Sequence, residues 1–154
     1  MHQTGDEASI SEDGYISITG RIKDLIIRGG ENIHPLEIEN CLLAHPGVVD
    51  VSVVGVPDER YGEVVAAFIF ARDQASKMVT IEEIQQWVRE QLSNHLGMYF
   101  HLWHCIVIAF ILTLLLVPKY VFFLNPTDTF PKTASGKIQK FKLKEQAIKL
   151  LART

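Results

Sequence analysis

Residues 48–70, VVDVSVVGVPDERYGEVVAAFIF, contain two runs rich in β-branched and aromatic residues, separated by a polar turn. The runs Val48–Val56 and Glu63–Phe70 predict two strands joined by a turn at residues 57–62. The second run is apolar on both faces, which is typical of a strand in the centre of a sheet. This stretch therefore predicts a small sheet at the core of the fold.

Helical patterns flank the predicted sheet along the sequence. Pro35 suits the first position of a helix, and Thr80 with Glu83 forms a capping-box pattern that opens a second helix. A further strand at Tyr120–Leu124 and a lysine-rich loop precede a last helix. The apolar positions of the three helices are, in chain order, Ile38, Leu42 and Leu43; Ile81, Ile84, Trp87, Val88, Leu92 and Leu96; and Leu143, Ala147, Leu150 and Leu151.

The sequence before the first helix predicts a two-stranded hairpin. Residues 1–13 are polar and typical of a loop. Tyr15–Thr19 alternates with a period of two, and Lys23–Arg28 is a second short strand. The order hairpin, helix, two strands, helix, strand, helix predicts an α+β fold. We expect a small three-stranded sheet with flanking helices, preceded by the hairpin.

Length and composition exclude several classes of function. A chain of 154 residues, 47% hydrophobic and 21% charged, has room for one domain with a modest core. The net charge of −3 provides no general attraction for nucleic acid. The six histidines and two cysteines lack metal-ligand spacing, so no metal site is predicted. Cys41 and Cys105 are interpreted as reduced thiols, which indicates an intracellular, cytoplasmic protein.

Two segments stand out in the sequence: residues 14–39, GYISITGRIKDLIIRGGENIHPLEIE, and residues 130–140, FPKTASGKIQK. Both resemble signature motifs of the adenylate-forming superfamily, which includes acyl-CoA synthetases, luciferases and peptide-synthetase adenylation domains. Thr4-Gly5-Asp6 resembles a third motif of that superfamily. Apart from one insertion, the resemblance extends over essentially the whole chain. The segments PKTASGKIQKFKL and GGENIHPLEIE are most similar to those of medium-chain fatty-acid or general acyl-CoA ligases.

The resemblance implies a domain organisation and a reaction. Residues 1–20 would be the tail end of a large AMP-binding domain, and residues 21–154 a C-terminal lid domain. The reaction is ATP-dependent adenylation of a carboxylic acid, followed by thioester formation with coenzyme A. Mg²⁺ would accompany ATP, with its ligands outside this chain, and the large domain would be the lid's partner. Two alternatives stay open: the lid of an amino-acid adenylation domain, and a non-catalytic interaction fragment.

The resemblance identifies Lys137 as the adenylation lysine. Adenylation brings a carboxylate to the α-phosphate of ATP, and a compact ammonium stabilises the charge that develops. The alternative is a solvated surface lysine, since other lysines lie nearby. By the same resemblance, Asp6 and Arg21 hold the ribose hydroxyls of the nucleotide. A turn-capping aspartate and a hairpin salt-bridge arginine are the alternatives for this pair.

The resemblance also implies residues for the second half-reaction. Lys23 would be the hinge about which the lid swings between two working poses. Gly29 and Gly30 would let the phosphopantetheine arm of coenzyme A pass close to the main chain. Asn32 would contact the adenylate in the second pose. An exposed strand lysine and a glycine pair that ends a strand are the alternatives.

Residues 97–116, GMYFHLWHCIVIAFILTLLL, interrupt the family pattern. Their length and apolarity are those of a membrane-spanning helix, which needs ~20 residues. A single crossing would, however, place Lys23 and Lys137 on opposite sides of a bilayer. We prefer the hypothesis of a translated, unspliced intron; a membrane segment and a soluble insertion are the alternatives. Only this segment would allow the protein to associate with a membrane.

Overall fold

The structure is a computed structural model, in which residues 5–72, 79–97 and 114–153 are described. The strands are β1 (Asp6–Ile10), β2 (Ile16–Arg21), β3 (Ile26–Arg28), β4 (Glu31–Ile33), β5 (Val48–Asp58), β6 (Gly62–Ala71) and β7 (Tyr120–Phe123). The helices are α1 (Pro35–Leu43), α2 (Ile81–Gly97) and α3 (Lys140–Leu151), with a 3-10 turn at Ile22–Asp24. The α+β class predicted from the sequence is confirmed.

Strand β6 organises the main sheet. It pairs with β5 in antiparallel fashion along almost its whole length and with β7 in parallel. Strand β3 pairs through Arg28 with Gly62, the first residue of β6. Strand β4 pairs with β3 and extends the sheet further. The parallel β6–β7 pair requires a crossover connection, and α2 lies in that connection. The sheet therefore contains the three predicted strands, extended by two short ones.

Helices pack on both faces of the sheet. Because side chains alternate along a strand, Val53 and Val65 face α1 and α2, whereas Val54 and Val64 face α3. The buried side chains on the first face include Ile38, Leu42, Ile84, Val88 and Leu92. Those on the second face include Phe68, Phe130, Leu143 and Ala147. The predicted central strand is thus confirmed as one that is buried on both faces.

Local signals in the sequence define the beginnings of two helices. The Thr80 hydroxyl accepts the backbone N–H of Glu83 at 3.2 Å, and the Glu83 carboxylate accepts that of Thr80 at 3.3 Å, which confirms the capping box. Pro35 is the first residue of α1, as predicted. The apolar side of α1 is narrower than predicted, because Leu43 is 47% exposed at its last position.

The predicted hairpin is wrong in its pairing. Strand β2 pairs with β1, a segment that was predicted as loop, and β3 pairs with β4. The 3-10 turn at Ile22–Asp24 turns the chain away, so that β2 and β3 do not fold back on each other. Gly29 and Gly30, with φ of 61° and 91°, form the two-residue turn between β3 and β4. Two positive φ values are those of the turn that best matches strand twist in a hairpin.

The far end of the insertion contacts the core. Leu116 is buried among the residues under α1 and α2, and Leu115 packs against them. The Arg28 guanidinium donates to the carbonyl oxygens of Leu115 and Val117 at 2.6 and 3.2 Å. Residues 98–113, which make up most of the insertion, lie outside the described residues. Among the described residues, no helix is both long and apolar enough to cross a bilayer.

An ion pair at the β5–β6 turn predicts a pH-dependent stability. Lys119 Nζ lies 2.7 Å from a carboxylate oxygen of Asp58. This contact and the backbone N–H of Tyr61 lower the pKa of Asp58, and the same contact raises the pKa of Lys119. The Asp58 contribution is present above its unfolded pKa of about 3.9 and is lost as the pH falls through the lower folded value. The Lys119 contribution is present below about 10.4 and is lost as the pH rises further.

Lys119→Met is therefore expected to lower the thermal unfolding midpoint most between about pH 5 and pH 9. The difference from the parent chain should shrink as the pH falls below about 3.9 and as it rises above about 10.4, the ordinary pKa values of the two groups. Thermal unfolding across this range measures the effect, with Lys142→Met, an exposed lysine of α3, as the control. A midpoint difference independent of pH would contradict the role of this ion pair.

Candidate functional site

Lys137 lies on a tightly hydrogen-bonded loop. The Lys137 loop (residues 131–139) contains a β-turn in which the N–H of Gly136 donates to the Thr133 carbonyl oxygen at 2.9 Å. The Thr133 N–H donates back to the Lys137 carbonyl oxygen at 2.9 Å. Gly136 has a φ of 82°, as expected for the last residue of a three-residue hairpin loop. The loop therefore presents Lys137 from a defined backbone.

The side chains of the turn add to this arrangement. The Thr133 hydroxyl accepts the Lys137 N–H at 3.2 Å and lies 2.8 Å from the Ser135 hydroxyl. The Lys137 side chain is exposed, and within the described ranges no hydrogen bond or ion pair engages its ammonium. The charge is thus available to an external anion.

Both ends of the Lys137 loop are anchored. Phe130 precedes the loop, is 4% exposed and contacts the ring of Phe70 at a centroid distance of 4.9 Å. The Gln139 N–H donates to the Pro131 carbonyl oxygen at 2.7 Å and closes the loop at its base. Lys140 follows at the start of α3, and its Nζ lies 2.8 Å from Glu39 Oε1. Glu39 belongs to α1, on the opposite face of the sheet.

Asp6 and Arg21 lie side by side at the open end of the β1–β2 hairpin. They are direct partners in the strand register, and Arg21 Nε lies 3.6 Å from Asp6 Oδ1. Both side chains are about two-fifths exposed. The structure thus brings together the two residues predicted to hold the ribose, with a carboxylate and a guanidinium on one side of a strand pair.

Lys23 lies in the 3-10 turn rather than in the predicted strand, and its side chain is exposed. It borders a cavity of about 150 Å³ whose other lining residues include Asp24, Gly55, Glu63, Lys140 and Lys144. Glu63 accepts from the Lys144 ammonium at 2.6 Å and from the Ile27 N–H at 3.1 Å. Strand β3, which follows the turn, is therefore connected to α3 through Glu63.

The Gly29–Gly30 turn packs against the β5–β6 turn. The Gly29 N–H donates to the Tyr61 carbonyl oxygen at 2.8 Å. The Arg28 guanidinium lies 5.5 Å from the centre of the Tyr61 ring. Burial lowers the pKa of Arg28. Apart from its two chain neighbours, no described residue comes within 4 Å of the position that a side chain at Gly30 would occupy, so the surface there is open. Asn32, two residues on in β4, is exposed as well.

The candidate residues form three separate groups. Asp6 and Arg21 form one, the Gly29–Gly30 turn with Asn32 a second, and the Lys137 loop a third. In the described part of the chain, no hydrogen bond or ion pair connects Lys137 to the other two groups. Residues 5–72, 79–97 and 114–153 also contain no group of His, Cys, Asp and Glu side chains that could hold a metal ion.

A larger groove is lined by other residues. It has a volume of about 600 Å³ and lies between β2, α1 and the second half of α2. Its lining includes Cys41, whose pKa is raised to about 11, mainly by burial and then by the charge of Glu37. None of the site residues predicted from the sequence is among the residues that line this groove.

Sequence reasoning missed Glu39 and the two hydroxyl residues of the Lys137 loop. Glu39 follows Glu37 in the helix, and only the tertiary fold distinguishes its half-buried carboxylate from that exposed one. Thr133 and Ser135 carried a usable signal. A hydroxyl residue at the start of a short polar segment that ends in glycine is typical of a side chain that bonds its own turn.

The family model for the AMP-binding enzyme C-terminal domain matches residues 37–137. The chain is 43% identical over 154 residues to the acyl-CoA ligase sidI of Aspergillus fumigatus, covering 98% of this chain and 23% of that protein. It is 41% identical over 143 residues to the human mitochondrial medium-chain acyl-CoA ligase ACSF2, covering 93% of this chain and 19% of that protein.

Among solved structures, the fold is similar to that of o-succinylbenzoate CoA synthetase (MenE) from Bacillus subtilis in complex with its acyl-adenylate intermediate. The TM-score is 0.70 at 30% identity, covering 92% of this chain and 24% of that one. The chain thus spans about a fifth to a quarter of the length of the proteins it matches. It belongs to the AMP-binding enzyme C-terminal domain family.

Proposed function

We infer that this chain is the lid domain of an AMP-forming acyl-CoA ligase. In the first half-reaction a carboxylate oxygen attacks the α-phosphorus of ATP, and pyrophosphate leaves. In the second, the thiol of coenzyme A attacks the acyl carbon of the resulting acyl-adenylate, loses its proton and expels AMP. The relatives named as acyl-CoA ligases and the MenE complex with an acyl-adenylate support this proposal.

The observation that carries the proposal is the presentation of Lys137. Its ammonium is exposed on a backbone held by hydrogen bonds within the turn. Such a cation can be brought to a phosphate without first breaking an ion pair of its own within the described residues. A preorganised positive charge stabilises the transition state, in which charge develops between the carboxylate and the α-phosphate. We assign Lys137 to the adenylation step.

Asp6 and Arg21 are proposed to bind the nucleotide. The Asp6 carboxylate accepts hydrogen bonds from ribose hydroxyls, and the Arg21 guanidinium donates from a planar group of fixed geometry. Their contact of 3.6 Å is long for a hydrogen bond, and both side chains are partly exposed, so a nucleotide can reach them from solvent. Mg²⁺ would accompany ATP, with ligands supplied from outside this chain.

The distance between the Lys137 loop and the Gly29–Gly30 turn supports a lid that works in two poses. The base of the Lys137 loop is fixed beside Val53 in β5 through Glu39, whereas the Gly29–Gly30 turn lies beside the β5–β6 turn. Asp58 lies five residue steps after Val53 along the strand, which corresponds to about 17 Å. One fixed orientation would not bring both groups to the same reacting atoms. We propose that rotation at Lys23 presents first Lys137 and then the glycine turn with Asn32.

The large domain of the relatives is the proposed partner. The β1–β2 hairpin exposes several large apolar side chains: Ile10, Tyr15, Ile16 and Ile18 are all more than 60% exposed. Apolar surface grouped in this way is typical of a surface that another domain covers. We therefore keep residues 1–20 as the end of the large domain and residues 21–154 as the lid, with residues 97–116 as an insertion.

The isolated chain is expected to show no ATP–pyrophosphate exchange, because one domain supplies only part of the reacting constellation. The direct test joins this chain to the large domain of sidI in place of the C-terminal domain of that protein; we call this the joined enzyme. The joined enzyme should form far more acyl-CoA than sidI that lacks its C-terminal domain. Exchange by the isolated chain, or a folded joined enzyme that binds ATP but makes no more acyl-CoA than the truncated sidI, would contradict the proposal.

A further inference from the structure

We propose that Glu39 is a positioning residue for Lys137 and acts through its ion pair with Lys140. This inference rests on the proposed function, since it assigns Glu39 to the adenylation half-reaction. The residue does not touch the reacting groups. It sets the direction in which the Lys137 loop leaves the body of the domain.

The Glu39 carboxylate contacts both Lys140 and the backbone of β5. Lys140 Nζ lies 2.8 Å from Glu39 Oε1, and the two side chains are 22% and 13% exposed. The same oxygen accepts the N–H of Val53 at 2.8 Å. Glu39 is thereby tied to the backbone of β5, the strand at the edge of the sheet. A carboxylate fixed by a backbone donor gives Lys140 a fixed acceptor, with less loss of side-chain freedom than in an exposed pair.

The connection from Lys140 to Lys137 is short and closed. Gln139, next to Lys140, donates its N–H to Pro131 across the base of the loop. Ile138 forms an antiparallel bridge with Lys132. Beyond this bridge every residue of the loop is exposed. Because the contacts of the tip with described residues are all within its own turn, the two anchored ends, Phe130 and Lys140, determine where the ammonium is carried.

A second ion pair on α3 provides a matched control. Lys144 lies one helical turn after Lys140, and its Nζ lies 2.6 Å from Glu63 Oε1. It also connects α3 to the sheet, but it does not adjoin the loop. Both pairs can be removed while the buried side chains of Leu143 and Ala147 keep α3 in place. A general loosening of α3 should follow the loss of either ion pair. Displacement of Lys137, by contrast, should follow only the loss of the Glu39–Lys140 pair.

The test compares half-reactions in the joined enzyme. Glu39→Gln retains an oxygen for the Val53 N–H but removes the charge that holds Lys140. We expect ATP–pyrophosphate exchange to fall by about 10- to 100-fold, the scale of a misplacement near 1 Å. Thioester formation from synthetic acyl-adenylate should change less than about twofold, since Lys137 takes no part in that step. Lys140→Met should have the same effect as Glu39→Gln, and Lys140→Arg should retain most of the exchange activity.

The decisive comparison is made in a Lys137→Ala background. If Glu39 acts by placing Lys137, Glu39→Gln should cause no further loss of exchange there, because the two changes remove one function. An equal fall in both half-reactions, a loss as large with Lys144→Met, or an additive loss in the Lys137→Ala background would overturn the positioning role. If Lys137→Ala itself leaves exchange unchanged, the proposed function fails instead.

Discussion

Lys137→Ala in the joined enzyme is expected to lower the rate of adenylation by about 10²–10³-fold. The substitution removes a cation that the loop presents in a defined position, and no water molecule replaces a preorganised charge of this kind. The loop itself should persist, because its hydrogen bonds at Thr133 and Gly136 involve the backbone and the Thr133 hydroxyl. Thioester formation from synthetic acyl-adenylate should remain within about threefold of the parent enzyme.

Two further variants sharpen this test. Lys142→Ala removes the same charge from an exposed position in the first turn of α3 and should leave both half-reactions unchanged. Lys137→Arg keeps the charge but replaces a compact ammonium with a planar group, so only part of the adenylation rate should return. ATP–pyrophosphate exchange and single-turnover transfer to coenzyme A measure the two steps. If both steps fell together in Lys137→Ala, the assigned role would be wrong.

Lys23→Pro is expected to have the opposite effect, with adenylation retained and transfer to coenzyme A slowed by about 10²-fold. Proline fixes its own φ and restricts the conformation of the residue before it, here Ile22. The 3-10 turn at Ile22–Asp24 joins the hairpin that we assign to the large domain to the strand that begins the lid sheet. Restricted torsions at this point hinder the rotation that brings the Gly29–Gly30 turn to the adenylate.

The control for Lys23→Pro is Lys23→Ala. It removes the side chain but leaves the backbone torsions free, so transfer should proceed at nearly the parent rate. The measurement is a single turnover in which acyl-adenylate is formed first and coenzyme A is then added. Unchanged transfer in Lys23→Pro, or equal losses in both variants, would remove the hinge role from the backbone at this residue.

Short-range patterns account for the parts of the fold that were predicted correctly. The capping box at Thr80 and Glu83 and the helix start at Pro35 depend on residues within one turn of each other. The apolar run that became β6 is buried on both faces, and burial of that kind is visible in the sequence as a lack of alternation. None of these features requires knowledge of a distant partner.

Strand pairing in the first 33 residues was not predictable in this way. Asp6–Ile10 is exposed at every position, so it has no apolar alternation to mark it as a strand. It pairs with β2, whose first half is also exposed, in a register that places Asp6 opposite Arg21. Gly29 and Gly30 end β3, as predicted, and they also form the turn of a second hairpin, because residues 31–33 continue as β4. Both outcomes depend on which segments the rest of the fold leaves available for pairing.

The sequence by itself determined the family and the class of fold, because motifs are local and their spacing survives without a structure. The tertiary structure alone decided what holds Lys137 in place. Glu39 and Lys140 are 101 residues apart and meet around the edge of β5. An ion pair between distant residues leaves no periodic trace in the chain, since either partner is chemically an ordinary surface charge until the fold buries it.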